Sequence, residues 1–134
     1  MALLEVEVLD AELAAGRPDL PPEPEIFRLV SLAVATAGVE DGHVAVAFVD
    51  AAAIAALNAE HRGKEGPTDV LSFPIDEEEL DVPGPRELGD VVICPAHTID
   101  IREAIVHGAL HLVGMDHEVD DGEMLAIQAE LLSW

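Results

Sequence analysis

Leu4, Val6 and Val8 alternate with Glu5 and Glu7, the two-residue period of a strand with one buried face. The stretch from Pro18 to Pro24 reads as a loop. Pro24, with its fixed φ and no N–H to satisfy, suits the opening of a helix running to about Ala37 and ended by Gly38. His43 to Val49 predicts a second strand, and Asp50 is placed to cap a short helix through about Glu60. Asp69 to Phe73 predicts a brief strand closed by Pro74. Residues Asp76 to Glu87, acidic and interrupted by Pro83-Gly84-Pro85, predict a solvated loop before a fourth strand, Leu88 to Ile93. Asp100 with Glu103 has capping-box spacing for a helix ending at Gly114, and Asp120 with Glu123 repeats it for a last helix to Leu132. Strand and helix patterns alternate without an internal repeat. The fold class expected is therefore α+β, with one mixed sheet of about four strands packed with helices.

The length of 134 residues fits one domain spanning 1–134. Half the residues are hydrophobic, yet no apolar run approaches the roughly 20 residues needed to cross a bilayer, so no membrane partner is expected. No basic cluster followed by an apolar core opens the chain, so no secretory or transit leader is expected either. Cys94 is the single cysteine, which excludes an internal disulfide and fits a cytoplasmic location.

Charge narrows the partners. Twenty-eight Asp and Glu against six Lys and Arg give a formal net charge of −22, so any polyanion meets a repulsive long-range field. Bulk attraction to nucleic acid is excluded, and a local basic site, a metal ion or high salt would have to offset the field. The same acidity can also be read as adaptation to high ionic strength, where salt screens self-repulsion.

The chemistry concentrates in His107-Gly108-Ala109-Leu110-His111-Leu112-Val113-Gly114-Met115-Asp116-His117. Residues four apart share one helix face, so His107 and His111 can aim both imidazoles at one point. Gly114 lets the chain leave the helix, and three more residues bring His117 back as a third nitrogen ligand. Three imidazoles with one position left open describe a catalytic zinc site, which acidifies water to a pKa of about 7. One zinc per chain is expected. The offsets match the extended zincin pattern except at Gly108, where zincins place the glutamate that acts as general base. Either the backbone approaches something closely at Gly108 or the helix tolerates glycine there.

Three blocks then appear in a familiar order. They are Leu57-Asn58 through Arg62, Lys64 and Pro67-Thr68-Asp69-Val70-Leu71-Ser72-Phe73-Pro74; Leu88-Gly89-Asp90-Val91-Val92-Ile93-Cys94; and the His107 to His117 motif. In these the chain closely resembles the YbeY family of bacterial endoribonucleases, which act in rRNA maturation and ribosome quality control. The resemblance implies that His107, His111 and His117 are zinc ligands and that Arg62 lies beside the metal cleft. It implies single-stranded rRNA as substrate, with 16S rRNA 3′-end maturation as the task, and a ribosome or ribosomal protein as partner; no DNA partner is expected. A guanidinium suits the role of Arg62, because it can hold a phosphate in a bidentate fork. Lys64 is a second candidate phosphate contact, and Arg62, Lys64, Arg86 and Arg102 could form a local positive rim. The connection Pro95 to Val106 is shorter than the family pattern, so part of a helix is expected to be missing there.

Asp116 adjoins a ligand and could hold a histidine ring or assist proton transfer, or simply serve a turn. Asp69 and Asp90 are supporting residues, Asp69 as a turn cap and Asp90 as a balance for Arg62. His43, His61 and His97 lack ligand spacing and read as surface or satisfied histidines. Cys94 reads as buried, Glu77-Glu78-Glu79 as solvated, and Ala51 to Ala56 as a packing helix. Two other functions fit the same histidines: a zinc hydrolase of peptides or amides, which Gly108 deprives of its base, and a non-catalytic metal-containing ribosome-assembly factor.

Overall fold

A computed structural model describes residues 4–39, 41–74, 87–114 and 122–133. Its strands are β1 (Leu4–Leu9), β2 (Gly42–Phe48), β3 (Val70–Pro74) and β4 (Glu87–Ile93). Its helices are α1 (Glu23–Ala35), α2 (Ala51–Arg62), α3 (Ile101–Leu112) and α4 (Glu123–Leu132), with short 3-10 turns at Ala11–Ala14 and Pro95–His97. The strands form one mixed sheet in the order β1-β2-β4-β3. β1 and β2 are parallel, as are β2 and β4, whereas β3 runs antiparallel to β4 on the edge. Pro74 lies in that edge strand, where a missing N–H costs no ladder bond to a further strand. The α+β fold with a four-stranded mixed sheet is the one the alternating pattern predicts.

Side-chain alternation sorts the helices onto two faces. Val44, Val46 and Phe48 of β2 and Val91 and Ile93 of β4 are fully buried in one core with Leu29, Val30 and Ala33 of α1, Ile105 and Ala109 of α3, and Met124 of α4. On the other face Leu71 and Val92 pack with Ile54 of α2 and Cys94, whose free thiol is buried as expected. Full burial of such branched side chains is worth roughly 1.5–3 kcal/mol each, which is what holds both layers on the sheet.

Caps set the helix starts. Asp50 accepts from the Ala53 amide at 2.8 Å, and Asp100 accepts from the Glu103 amide at 3.2 Å, both as anticipated. The last helix departs from expectation. It opens at Glu123 behind Gly122, which takes φ 97, so Glu123 is the first helical residue and not the third of a box begun by Asp120. Asp120 itself lies outside the described residues, as do Glu77-Glu78-Glu79 and most of the expected acidic loop. After Cys94 the chain makes the 3-10 turn Pro95–His97 and enters α3 at Ile101. Ile101, Ala104, Ile105 and Val106 are all buried in the core, so nearly two turns of α3 precede His107.

A staple invisible to pattern reading fixes the start of α3. Arg17 pairs with Asp19 through Nε and Nη2, both at 2.9 Å, and its Nη1 donates to the carbonyls of Pro95 and Thr98 while Nη2 reaches that of Ile99 at 3.1 Å. Asp19 also accepts from the Ile101 amide at 3.0 Å, placing negative charge at the helix N-terminus. Hydrogen bonds from Arg17, then from the Ile101 amide, hold the Asp19 carboxyl below the usual carboxylate range. A carboxyl lowered on folding stabilises the fold above its unfolded value, about 3.9, and loses that contribution as pH falls through its folded value. Asp19→Asn should therefore lower the thermal midpoint near neutral pH and flatten the loss of stability on acidification below about pH 4. Thermal melts of both chains from pH 2 to 7 check this; parallel curves would remove Asp19 from the acid response.

Candidate metal centre

His107 and His111 lie one turn apart on α3, both half-buried, with ring centroids 4.7 Å apart and planes at 76°. Their Nε2 atoms face each other at 3.2 Å. Two nitrogens each 2.0–2.1 Å from one tetrahedral zinc stand about 3.3 Å apart, so the pair already has the edge length that shared coordination demands. The other ring nitrogen of His107, Nδ1, lies 2.8 Å from Oε1 of Gln128 on α4, and Gln128 is only 7% exposed. Gln128 escaped sequence reasoning, although a signal existed: it is the polar member of the buried stripe Met124, Gln128, Leu131 on α4. Among the described residues no group of three or more potential ligands gathers. His117 and Asp116, expected as third ligand and neighbouring acid, lie outside the described residues.

The glycine in the motif has a packing cause. A Cβ on Gly108 would stand 2.5 Å from Cγ1 of Val91 and 3.3 Å from Oγ of Ser72, so α3 rests with its backbone against β4. Ser72 of β3 also donates to the Gly108 carbonyl at 2.9 Å. Close backbone approach, the first of the two alternatives, is what the fold uses. A glutamate at this position would point into the sheet, away from any substrate.

Arg62 ends α2 on the opposite face of the sheet, where it is exposed, followed by Gly63 in the left-handed conformation. Its neighbour His61 packs edge-on against Phe73 at 4.5 Å. The edge strand β3 thus touches both halves of the expected site in consecutive residues, α3 through Ser72 and the end of α2 through Phe73. Asn58, buried one turn before Arg62, donates to the Gly66 carbonyl at 3.0 Å and so shapes the loop that carries Lys64, which is exposed.

The positive rim changes composition. Arg102 donates to Glu25 at 3.1 Å, and Glu25 also binds Arg28 at 2.6 Å, so Arg102 is committed to the α1–α3 contact and is not a rim residue. The Arg28 hydrogen bond, with Arg102 beside it, holds Glu25 below the ordinary carboxylate value. Arg86 lies outside the described residues. Asp69 behaves as a turn residue, accepting from the Val70 amide at 2.8 Å. His43 faces Glu7 at 3.3 Å on β1, and His97 is exposed, so the histidines without ligand spacing sit apart from the α3 pair.

Comparison with known proteins shows the family and the fold. The sequence model of the family described as Endoribonuclease YbeY matches residues 25–133. An Endoribonuclease YbeY of Macrococcus caseolyticus is 38% identical over 128 residues, covering 82% of this chain and 83% of its own. One from Alkalilimnicola ehrlichii is 42% identical over 134 residues, covering 87% and 80%. A solution structure from Thermotoga maritima superposes with a TM-score of 0.51 at 28% identity, covering 96% of this chain and 87% of that one.

Proposed function

The chain belongs to the YbeY family of endoribonucleases and is a nuclease; from that premise we propose that it cleaves single-stranded rRNA at a zinc site formed by His107, His111 and His117. The carrying observation is the 3.2 Å approach of the His107 and His111 Nε2 atoms. Bound zinc would supply a Lewis acid for a phosphoryl oxygen and acidify water at neutral pH. The protein's own part is to hold the imidazoles on a helix locked to the sheet and to bring Arg62 to the phosphate. There the guanidinium binds two oxygens and stabilises charge gathering at phosphorus. Lys64, on the loop after α2, is a second phosphate contact, and Asp116 beside His117 supports the ligand or moves a proton.

Work on 16S rRNA 3′-end maturation and ribosome quality control in the cytoplasm follows the family. The charge supports a ribosomal partner: Arg17, Arg28 and Arg102 are already paired with Asp19 and Glu25, so they add little attraction for RNA against the net charge of −22. The ribosome or one of its proteins would supply the missing positive surface. Gly108, packed on Val91, argues against a peptidase reading because the site lacks the zincin base.

Protein purified without added metal should carry about one zinc per chain, cleave labelled single-stranded RNA and leave peptide pools intact. Peptide turnover without RNA turnover would overturn the reading. Arg62→Glu should lower RNA cleavage by about 10²-fold or more, the scale of losing one electrostatic donor, while leaving zinc content and the fold intact. Full activity in that variant removes Arg62 from the mechanism.

A further inference from the structure

We infer that Gln128 is a positioning residue that fixes the tautomer and orientation of His107, so that its Nε2 is presented as a ligand; this rests on the zinc reading above. Oε1 of an amide can only accept, so the 2.8 Å contact requires the proton to sit on Nδ1 of His107. A neutral imidazole has one proton, which leaves the lone pair on Nε2, the atom facing Nε2 of His111 at 3.2 Å. Ring rotation is restrained at the same time, because the contact ties α3 to α4 across a packed interface. Gln128 is nine-tenths buried, and Met124 and Leu131, one turn before and after it, anchor α4 in the core. Ligating histidines commonly hold their second nitrogen in this way, through a carboxylate, a carbonyl or water. An uncharged amide does so here without adding to the net charge of −22.

This hydrogen bond also accounts for an otherwise uneconomical choice. A buried amide on an apolar helix stripe costs free energy unless it is bonded, and an apolar residue would pack there without that requirement. Gln128 is thus better explained by what it does to His107 than by packing.

The test compares wild type with Gln128→Leu and Gln128→Glu. In metal-free protein at a pH where His107 is neutral, its ring ¹⁵N shifts report the tautomer; zinc affinity is read by competition with a chromophoric chelator. The wild type and Gln128→Glu, which keeps an acceptor, should show His107 protonated on Nδ1. Gln128→Leu should lose that preference and bind zinc about 10- to 100-fold more weakly, with circular dichroism confirming the fold. Unchanged tautomer in Gln128→Leu overturns the inference, as does a changed tautomer with unchanged zinc affinity. If Gln128→Leu does not fold, Gln128→Met serves in its place and Gln128→Glu must still retain the wild-type tautomer. A wild-type chain that takes up no zinc overturns the metal reading itself, which the tautomer measurement in metal-free protein distinguishes from a failure of Gln128.

Discussion

Replacing His111 by Ala is expected to weaken zinc binding about 10²-fold and to cut RNA cleavage sharply while leaving the fold in place. Zinc bound by a full set of four protein ligands contributes on the order of 10–16 kcal/mol. Losing one imidazole should therefore cost roughly 3 kcal/mol, about 10²-fold in affinity. The 3.2 Å separation between His107 and His111 is meaningful for a metal only when both rings are present; in the variant His107 keeps its contact to Gln128 but no longer faces a second imidazole. His111 is half-buried near the end of α3 and contacts His107, while alanine is the better helix former, so the metal-free variant should remain folded with a cooperative melt. Chelator competition, RNA turnover and thermal melts together check this. Retained zinc with lost cleavage would place His111 in catalysis but outside the metal shell.

Gly108→Ala should destabilise the fold, against the usual gain from removing a helix glycine. Propensity alone would favour alanine by about 1 kcal/mol. The new Cβ would stand 2.5 Å from Val91 Cγ1 and 3.2 Å from Cγ2, and overpacking of that kind costs typically 1–3 kcal/mol. Because Val91 is fully buried in the middle of β4, its methyls cannot swing aside, and α3 must lift from the sheet and carry His107 with it. Gly108→Glu, the zincin-like substitution, should be far worse, since it also buries an unpaired carboxylate, and is expected to leave no cooperative unfolding transition. Trimming the obstacle in Gly108→Ala with Val91→Ala should recover stability beyond the sum of the single effects, the signature of residues in contact. Urea titrations of Gly108→Ala, Gly108→Glu, Val91→Ala and the Gly108→Ala/Val91→Ala double variant decide the matter, and a stabilised Gly108→Ala would show that the backbone does not press on Val91.

The order of elements and the helix that carries the paired histidines were legible in the residues themselves. Local physics dictates them. The two-residue alternation of Leu4, Val6 and Val8 can bury only as a strand, Asp50 and Asp100 satisfy orphan amides one turn later, and a spacing of four puts His107 and His111 on one helix face. Asp120 and Glu123 have the spacing of a capping box, but spacing alone does not reveal that Gly122 turns left-handed and opens the helix at Glu123. Only the tertiary structure decided which residues support the site, because the partners meet across large separations in sequence. Ser72 reaches the carbonyl of Gly108, Gln128 reaches His107, and Arg17 closes on the carbonyls before α3. The same holds for Arg102, whose charge suited a rim until Glu25 on α1 was found to claim it. A sequence records what each side chain can do within a turn or two of its own backbone; which distant group satisfies it is settled when the sheet brings helices from different parts of the chain onto one face.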